Sequence, residues 1–253
     1  MGKSDCWAAG IGGCEGKISR EHIFTESLFP TKELITVSGF PWCKGEEKQV
    51  SIASLTSKIL CEKHNSGLSP LDDCAANAFK IFQKGTVITN SRLRSSPPFK
   101  VYDFHINGYL FERWLLKTFI NICVTYQPDL FIGNGENPGE ASNELIEICY
   151  GRSKFLGKSG MYLTSKVGMP MKIGPAVGFS PIIYDGSHVV GGFFSFRGFQ
   201  LYLSLFNEEL KDFEWISGVD FTSEWRGTIP TWHFKRIGIM VRNIPSFNFH
   251  FDW

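Results

Sequence analysis

Cys61-Glu62-Lys63-His64-Asn65 sets a thiol, an imidazole and a carboxamide within five residues. The Cys61-x-x-His64 spacing suits two ligands of one metal ion. Upstream, Cys6 and Cys14 flank a Gly-rich segment, Ala8 to Gly13, that can turn tightly. These four residues make a Cys3His set. Tetrahedral zinc takes thiolates and imidazole nitrogens in such a set, and a site closed by four protein ligands is structural, not catalytic. A small N-terminal region with a modest core gains folding stability from such an ion. Cys43, in the stretch Gly39 to Gly45, competes for one of the four positions, because the gap between Cys6 and Cys14 is wider than the usual two to four residues.

Between the ligand pairs lies Ser19-Arg20-Glu21-His22-Ile23-Phe24. Adjacent residues in a strand point to opposite faces, so Glu21 and His22 would need a bend or bulge to serve one atom. If Glu21 and Asn65 met at one cation, His22 would be left to act as a base. A neutral imidazole is suited to taking a proton from water. A carboxylate, an amide oxygen and waters suit a hard cation such as Mg²⁺, which stabilises a phosphoryl oxyanion and its leaving group. Arg20 could contact a phosphate or form a surface salt bridge. Each of these residues also has a plainer use: Glu21 as a solvated carboxylate, Asn65 as a turn or cap residue, His22 as a hydrogen-bonded structural histidine.

Cys6…Cys14, Glu21-His22 and Cys61-x-x-His64-Asn65, taken together, resemble the HNH endonucleases, a branch of the ββα-metal nucleases. In that family an acid–His or His–His doublet sits on a first strand, and a helix after a second strand supplies a final His or Asn. Many members carry a zinc knuckle whose second pair directly precedes that final residue. The resemblance covers about residues 1–85. It implies His22 as general base, Glu21 and Asn65 as ligands of a catalytic Mg²⁺ or Mn²⁺, and Cys6, Cys14, Cys61 and His64 on structural zinc. It further implies DNA as substrate. By analogy with similar nucleases of bacterial anti-phage systems, it implies a partner ATPase or a small activating ligand. The family's middle Asn, which braces the loop carrying the base, is missing from the stretch Ser51 to Leu60, where Ser54 or Thr56 could replace it. The competing reading is a zinc-binding interaction module or scaffold without catalysis.

These residues need a framework. Leu71–Gln83 has helical spacing of apolar residues, with Ser69-Pro70 before it and Asp72 and Asp73 in its first turn. Thr89–Lys100 is polar and holds Pro97-Pro98, which reads as a connection between two domains, 1–90 and 100–253. Its basic cluster, Ser91 to Ser96 with Lys100, could track a phosphate backbone or be a solvated linker. Ile106–Gln127 is apolar enough for a mostly buried helix, and Gly139–Arg152 suggests a shorter one. Strand patterns then occupy Gly160–Met169, Ala176–Phe206 and Thr231–Asn243, and the Asp185-Gly186 pair is a hairpin signal. The expected fold class is α+β: a zinc-bound ββα-metal nuclease domain, then an α+β domain with a mainly antiparallel sheet.

Cys74, Cys123 and Cys149 have apolar neighbours and read as core. His105, His188, His233 and His250 have no ligand spacing, while Trp215, Trp225, Trp232 and Trp253 could stack on bases or fill a core. The formal net charge is +1, with twelve Lys/Arg against ten Asp/Glu in residues 1–99 and fourteen against fifteen beyond. No global basic field favours nucleic acid, so any such site must be a local patch. Seven cysteines, an odd number, fit thiols or metal ligands in a reducing, cytoplasmic setting better than a disulfide framework. No apolar leader region and no run of eighteen apolar residues argues for a membrane.

Overall fold

The computed structural model describes residues 5–29, 34–157, 159–164, 174–205, 236–241 and 244–253. Trp215, Trp225, Trp232 and His233 lie outside the described residues. Strands β1 (Ile18–His22) and β4 (Thr56–Cys61) pair antiparallel, and α1 (Glu62–Gly67) follows β4 without a gap. Between them in the chain run β2 (Leu34–Ser38) and β3 (Lys48–Ser51). Helix α2 (Ser69–Arg92) begins at the expected Ser69-Pro70 and runs nine residues beyond Gln83. Its buried side, Leu71, Ala75, Ala78, Phe79 and Phe82, recurs at helical spacing.

Strand β5 (Tyr102–Asn107) leads into α3 (Gly108–Tyr126). The Asn107 side chain caps α3 by accepting from the Leu110 amide at 2.9 Å. Apolar and polar residues alike are buried along α3, as the sequence leads one to expect of a core helix. The short β6 (Phe131–Ile132) and α4 (Asn143–Cys149) precede four strands: β7 (Gly160–Thr164), β8 (Ala176–Tyr184), β9 (His188–Phe196) and β10 (Phe199–Ser204). Asp185 and Gly186 both have positive φ, the conformation a tight hairpin between β8 and β9 requires. Strands β11 (Arg236–Val241) and β12 (Ile244–Asp252) end the chain.

The result is α+β with mixed sheets, most of whose pairings are antiparallel. The large sheet has the order β3-β2-β8-β9-β10-β7, with β6 beside β9. β2 joins β8 in parallel, and β12 joins β5 in parallel. The segment expected to divide two domains therefore does not divide two cores. Strands β2 and β3, from the first half, extend a sheet built by the second. Phe24 packs edge-on against Phe196 at 5.4 Å, and Phe82 stacks on Phe199 at 4.1 Å between ring centroids. At the end of β2 the chain passes so close to β8 that a Cβ on Gly39 would sit 1.8 Å from the Phe179 carbonyl oxygen. No helix among the described residues is long and apolar enough to cross a membrane.

Candidate metal centre and the doublet beside it

Cys6, Cys14, Cys61 and His64 come together, their ligand atoms all within 4.8 Å of one another. Two pieces of local structure do this. Gly12 and Gly13 both take positive φ and turn Cys14 back toward Cys6. Cys61 ends β4 and caps α1, so His64, three residues on, lies over the same face one turn later. His64 Nδ1 is 3.3 Å from Cys6 Sγ, 3.3 Å from Cys61 Sγ and 3.6 Å from Cys14 Sγ. A tetrahedral zinc ion with its usual bond lengths would separate sulfur from nitrogen by about 3.5 Å. His64 Nε2 lies 3.1 Å from the Gly12 carbonyl oxygen. A carbonyl only accepts, so this contact places the proton on Nε2 and leaves Nδ1 bare toward the sulfurs. The donor set fits a metal ion such as zinc in chemistry and in spacing.

The thiols answer to their surroundings. Burial pushes Cys6 up to about 12 and raises Cys14. Burial acts the same way on Cys61, but hydrogen bonds from the His64 and Glu15 backbone and from the other two thiols outweigh it and lower that group. Burial also lowers His64, with help from Lys63 and Arg152 and against the Gly12 carbonyl, and so disfavours the charged ring. Tyr150, just past α4, donates to the His64 carbonyl at 2.9 Å, and Arg152 donates to Ile11 O at 3.2 Å. The second half of the chain thus closes over the metal corner. Cys43 does not compete for it: its buried Sγ donates to Val37 O at 3.8 Å, inside the core. Cys123 and Cys149 are core thiols as expected, while Cys74 is half-buried.

The doublet behaves as strand alternation requires. Glu21 points inward and His22 outward. The irregularity in the β1–β4 pairing falls between Ser19 and Arg20, before the doublet, and so does not turn the two side chains to one side. His22 Nε2 is 3.3 Å from Glu26 Oε2, with the imidazole a third exposed. His22 Nδ1 is itself buried and has no hydrogen-bond partner among the described residues. Arg20 is exposed and lies opposite Lys58 across the pair. Asn65 donates to Ser19 Oγ at 3.0 Å. Ser19 is two residues from Glu21, but Glu21 spends its carboxylate elsewhere.

That partner is Lys117 of α3. Its Nζ is 2.6 Å from Glu21 Oε1 and 2.7 Å from Asp72 Oδ2, with the Lys117 side chain only 3% exposed. Thr25 donates to Asp72 Oδ1 at 2.5 Å and accepts from Trp114 Nε1 at 2.8 Å. One ammonium serves two carboxylates. The two anions outweigh burial and raise Lys117. Burial raises Glu21, which shares its cation with Asp72. As placed, Glu21 and Asn65 do not fit a shared divalent cation, because the ammonium on Glu21 would repel a second cation at the same oxygen.

Sequence reasoning missed Lys117 and Asn121, which lie about a hundred residues from the doublet; the buried polar positions of an otherwise apolar helix were the available signal. Neither proposed stand-in for the middle Asn braces the doublet. Ser54 bonds locally to Ser51 O at 2.6 Å, and Thr56 is merely the register partner of His22. In the basic cluster, Arg92 turns inward over the Phe99 and Tyr102 rings, at 5.1 and 5.2 Å, whereas Arg94 and Lys100 are exposed. His105 and His250, without ligand spacing in the sequence, stack at 4.8 Å across the parallel β5–β12 pair, each beside an Asp. No family model, curated protein or solved structure matches this chain.

Proposed function

We propose that the chain is an endonuclease of the HNH type that hydrolyses phosphodiester bonds in DNA, built on a structural zinc ion. One observation carries this reading. An antiparallel strand pair runs directly into a short helix over a Cys3His corner, and leaves a partly exposed histidine at the end of its first strand. His22 acts as the general base. Glu26 lies against the Nε2 side of the ring, and because Nδ1 is buried the proton acceptor is Nε2, once it is released from Glu26. Arg20 and Lys58 flank this strand pair as exposed cations and supply charge for a phosphate. Zinc is the ion of choice for the corner because three thiolates and an imidazole favour it and a closed set leaves no open position for substrate. Mg²⁺ or Mn²⁺ is the cofactor the HNH resemblance brings with it, but no step is assigned to that ion while Lys117 holds Glu21. The region after residue 100 controls the site, a role supported by the reach of α3 to the doublet.

The buried Glu21–Lys117 contact favours the second reading, a zinc-stabilised interaction module without catalysis, because a carboxylate so engaged is a structural clamp. A plasmid-nicking assay separates the two. Zinc-loaded protein is compared with His22→Ala and Asn65→Ala in Mg²⁺, Mn²⁺ and EDTA. Nicking by the wild type that His22→Ala abolishes supports the nuclease. Equal nicking by His22→Ala removes His22 as the base. A folded, zinc-loaded wild type that cuts nothing under any condition supports the module.

A further inference from the structure

We infer that Asn121 of α3 is the positioning residue for His22, in place of a brace from the β1–β4 loop. This rests on the nuclease reading for its meaning, but its geometry stands alone. The Asn121 side chain is fully buried. Its Oδ1 accepts from Trp7 Nε1 at 3.0 Å. Its Nδ2 lies 3.4 Å from Glu21 Oε1 and 3.4 Å from the His22 carbonyl oxygen.

The orientation of this amide is not arbitrary. An indole N–H only donates, so it must meet the amide oxygen. A carbonyl only accepts, and a carboxylate bound to an ammonium accepts as well, so both must meet the NH₂. Flipping the amide would leave all three contacts mismatched inside a core, where an unmade polar contact costs most. Asn121 therefore joins three segments of the chain. Trp7 adjoins the metal ligand Cys6, Glu21 and His22 are the doublet, and α3 supplies the amide. Lys117, one turn earlier on the same helix face, grips Glu21. Consecutive residues of β1 are thus held by consecutive turns of a helix from the other half of the chain. The main chain at His22 is fixed on its inner side, while the partly exposed imidazole meets Glu26.

Two kinds of outcome follow for Asn121→Leu, which keeps the branched shape and removes the three contacts. If Asn121 positions the base, kcat for plasmid nicking falls about 10- to 100-fold with KM little changed, and the His22 ring ¹⁵N resonances shift or broaden. Zinc content stays at the wild-type level. Ile120→Val, a buried neighbour on the same helix, serves as the control for loss of stability and leaves the His22 resonances in place. Unchanged kcat together with unmoved His22 resonances in folded, zinc-loaded Asn121→Leu overturns the inference. Should that variant not fold, Asn121→Ser is read by the same two criteria. Should the wild type cut nothing, the nuclease reading fails, and the His22 resonances alone decide whether Asn121 sets the position of that ring.

Discussion

The metal corner and the α3 clamp are both largely buried polar constructions, with Cys14 exposed at the corner, yet they are assembled in different ways. The corner takes its four ligands as two pairs, each set by a local device: a glycine turn brings Cys14 back to Cys6, and a strand end and first helical turn place Cys61 and His64, the pairs then meeting across about 50 residues. The clamp joins Glu21 and Asp72 to Lys117 and Asn121, across separations of 45 to 100 residues. A metal ion pulls its ligands together and contributes folding free energy directly. An ion pair in a core has to offset the desolvation of every charge in it, and is only as good as its full set of partners. The corner should therefore fail by losing one ion, and the clamp by losing any one member.

Breaking the corner should give the largest effect. A structural zinc ion contributes on the order of 10 kcal/mol in isolated zinc-finger peptides. Cys61→Ser is expected to lower zinc content measured by metal analysis and to open residues near Cys6 and Cys14 to limited proteolysis. Retained zinc in that variant would sink the assignment of the ligand.

Breaking the clamp comes next. Lys117→Met leaves two buried or half-buried carboxylates without their cation and should cost about 3–5 kcal/mol in urea denaturation. The clamp also gives the wild type an alkaline limit. The folded state raises Lys117 above its ordinary 10.5, so its contribution is fully present below that value. It is lost as pH rises through the raised, folded-state value. Lys117→Met should lack that alkaline loss, and equal alkaline slopes in the two proteins would show that the ammonium is not what titrates.

The smallest effect sharpens the border between the regions. Cys43 sits in the core and outside the corner. Cys43→Ala should leave zinc content unchanged and cost about 1 kcal/mol. A drop in zinc on that substitution would bring Cys43 back as a ligand.

Much of the corner was legible in the residues. Cys-x-x-His before a helix and a glycine-rich spacer are short-range signals, and short-range geometry follows from short-range sequence. The helices starting at Ser69 and Gly108 and the Asp185-Gly186 hairpin were legible for the same reason. Glu21 was not, because alternation told only that it faces away from His22, and not what it faces.

By itself, then, the sequence determined the local devices: the Cys3His spacing, the apolar stripe of α2, the buried character of α3, and the strand and turn pattern of β7 to β10, while β2, β3, β5 and β12 were not legible in it. Tertiary structure alone decided that β2 adds to the sheet of the second half, that one core crosses the polar stretch at 89–100, and that Lys117 and Asn121 meet the doublet. The physical reason is range. Spacing and φ preferences act over a few residues, whereas the partner of a buried charge is chosen by whichever distant element packs against it.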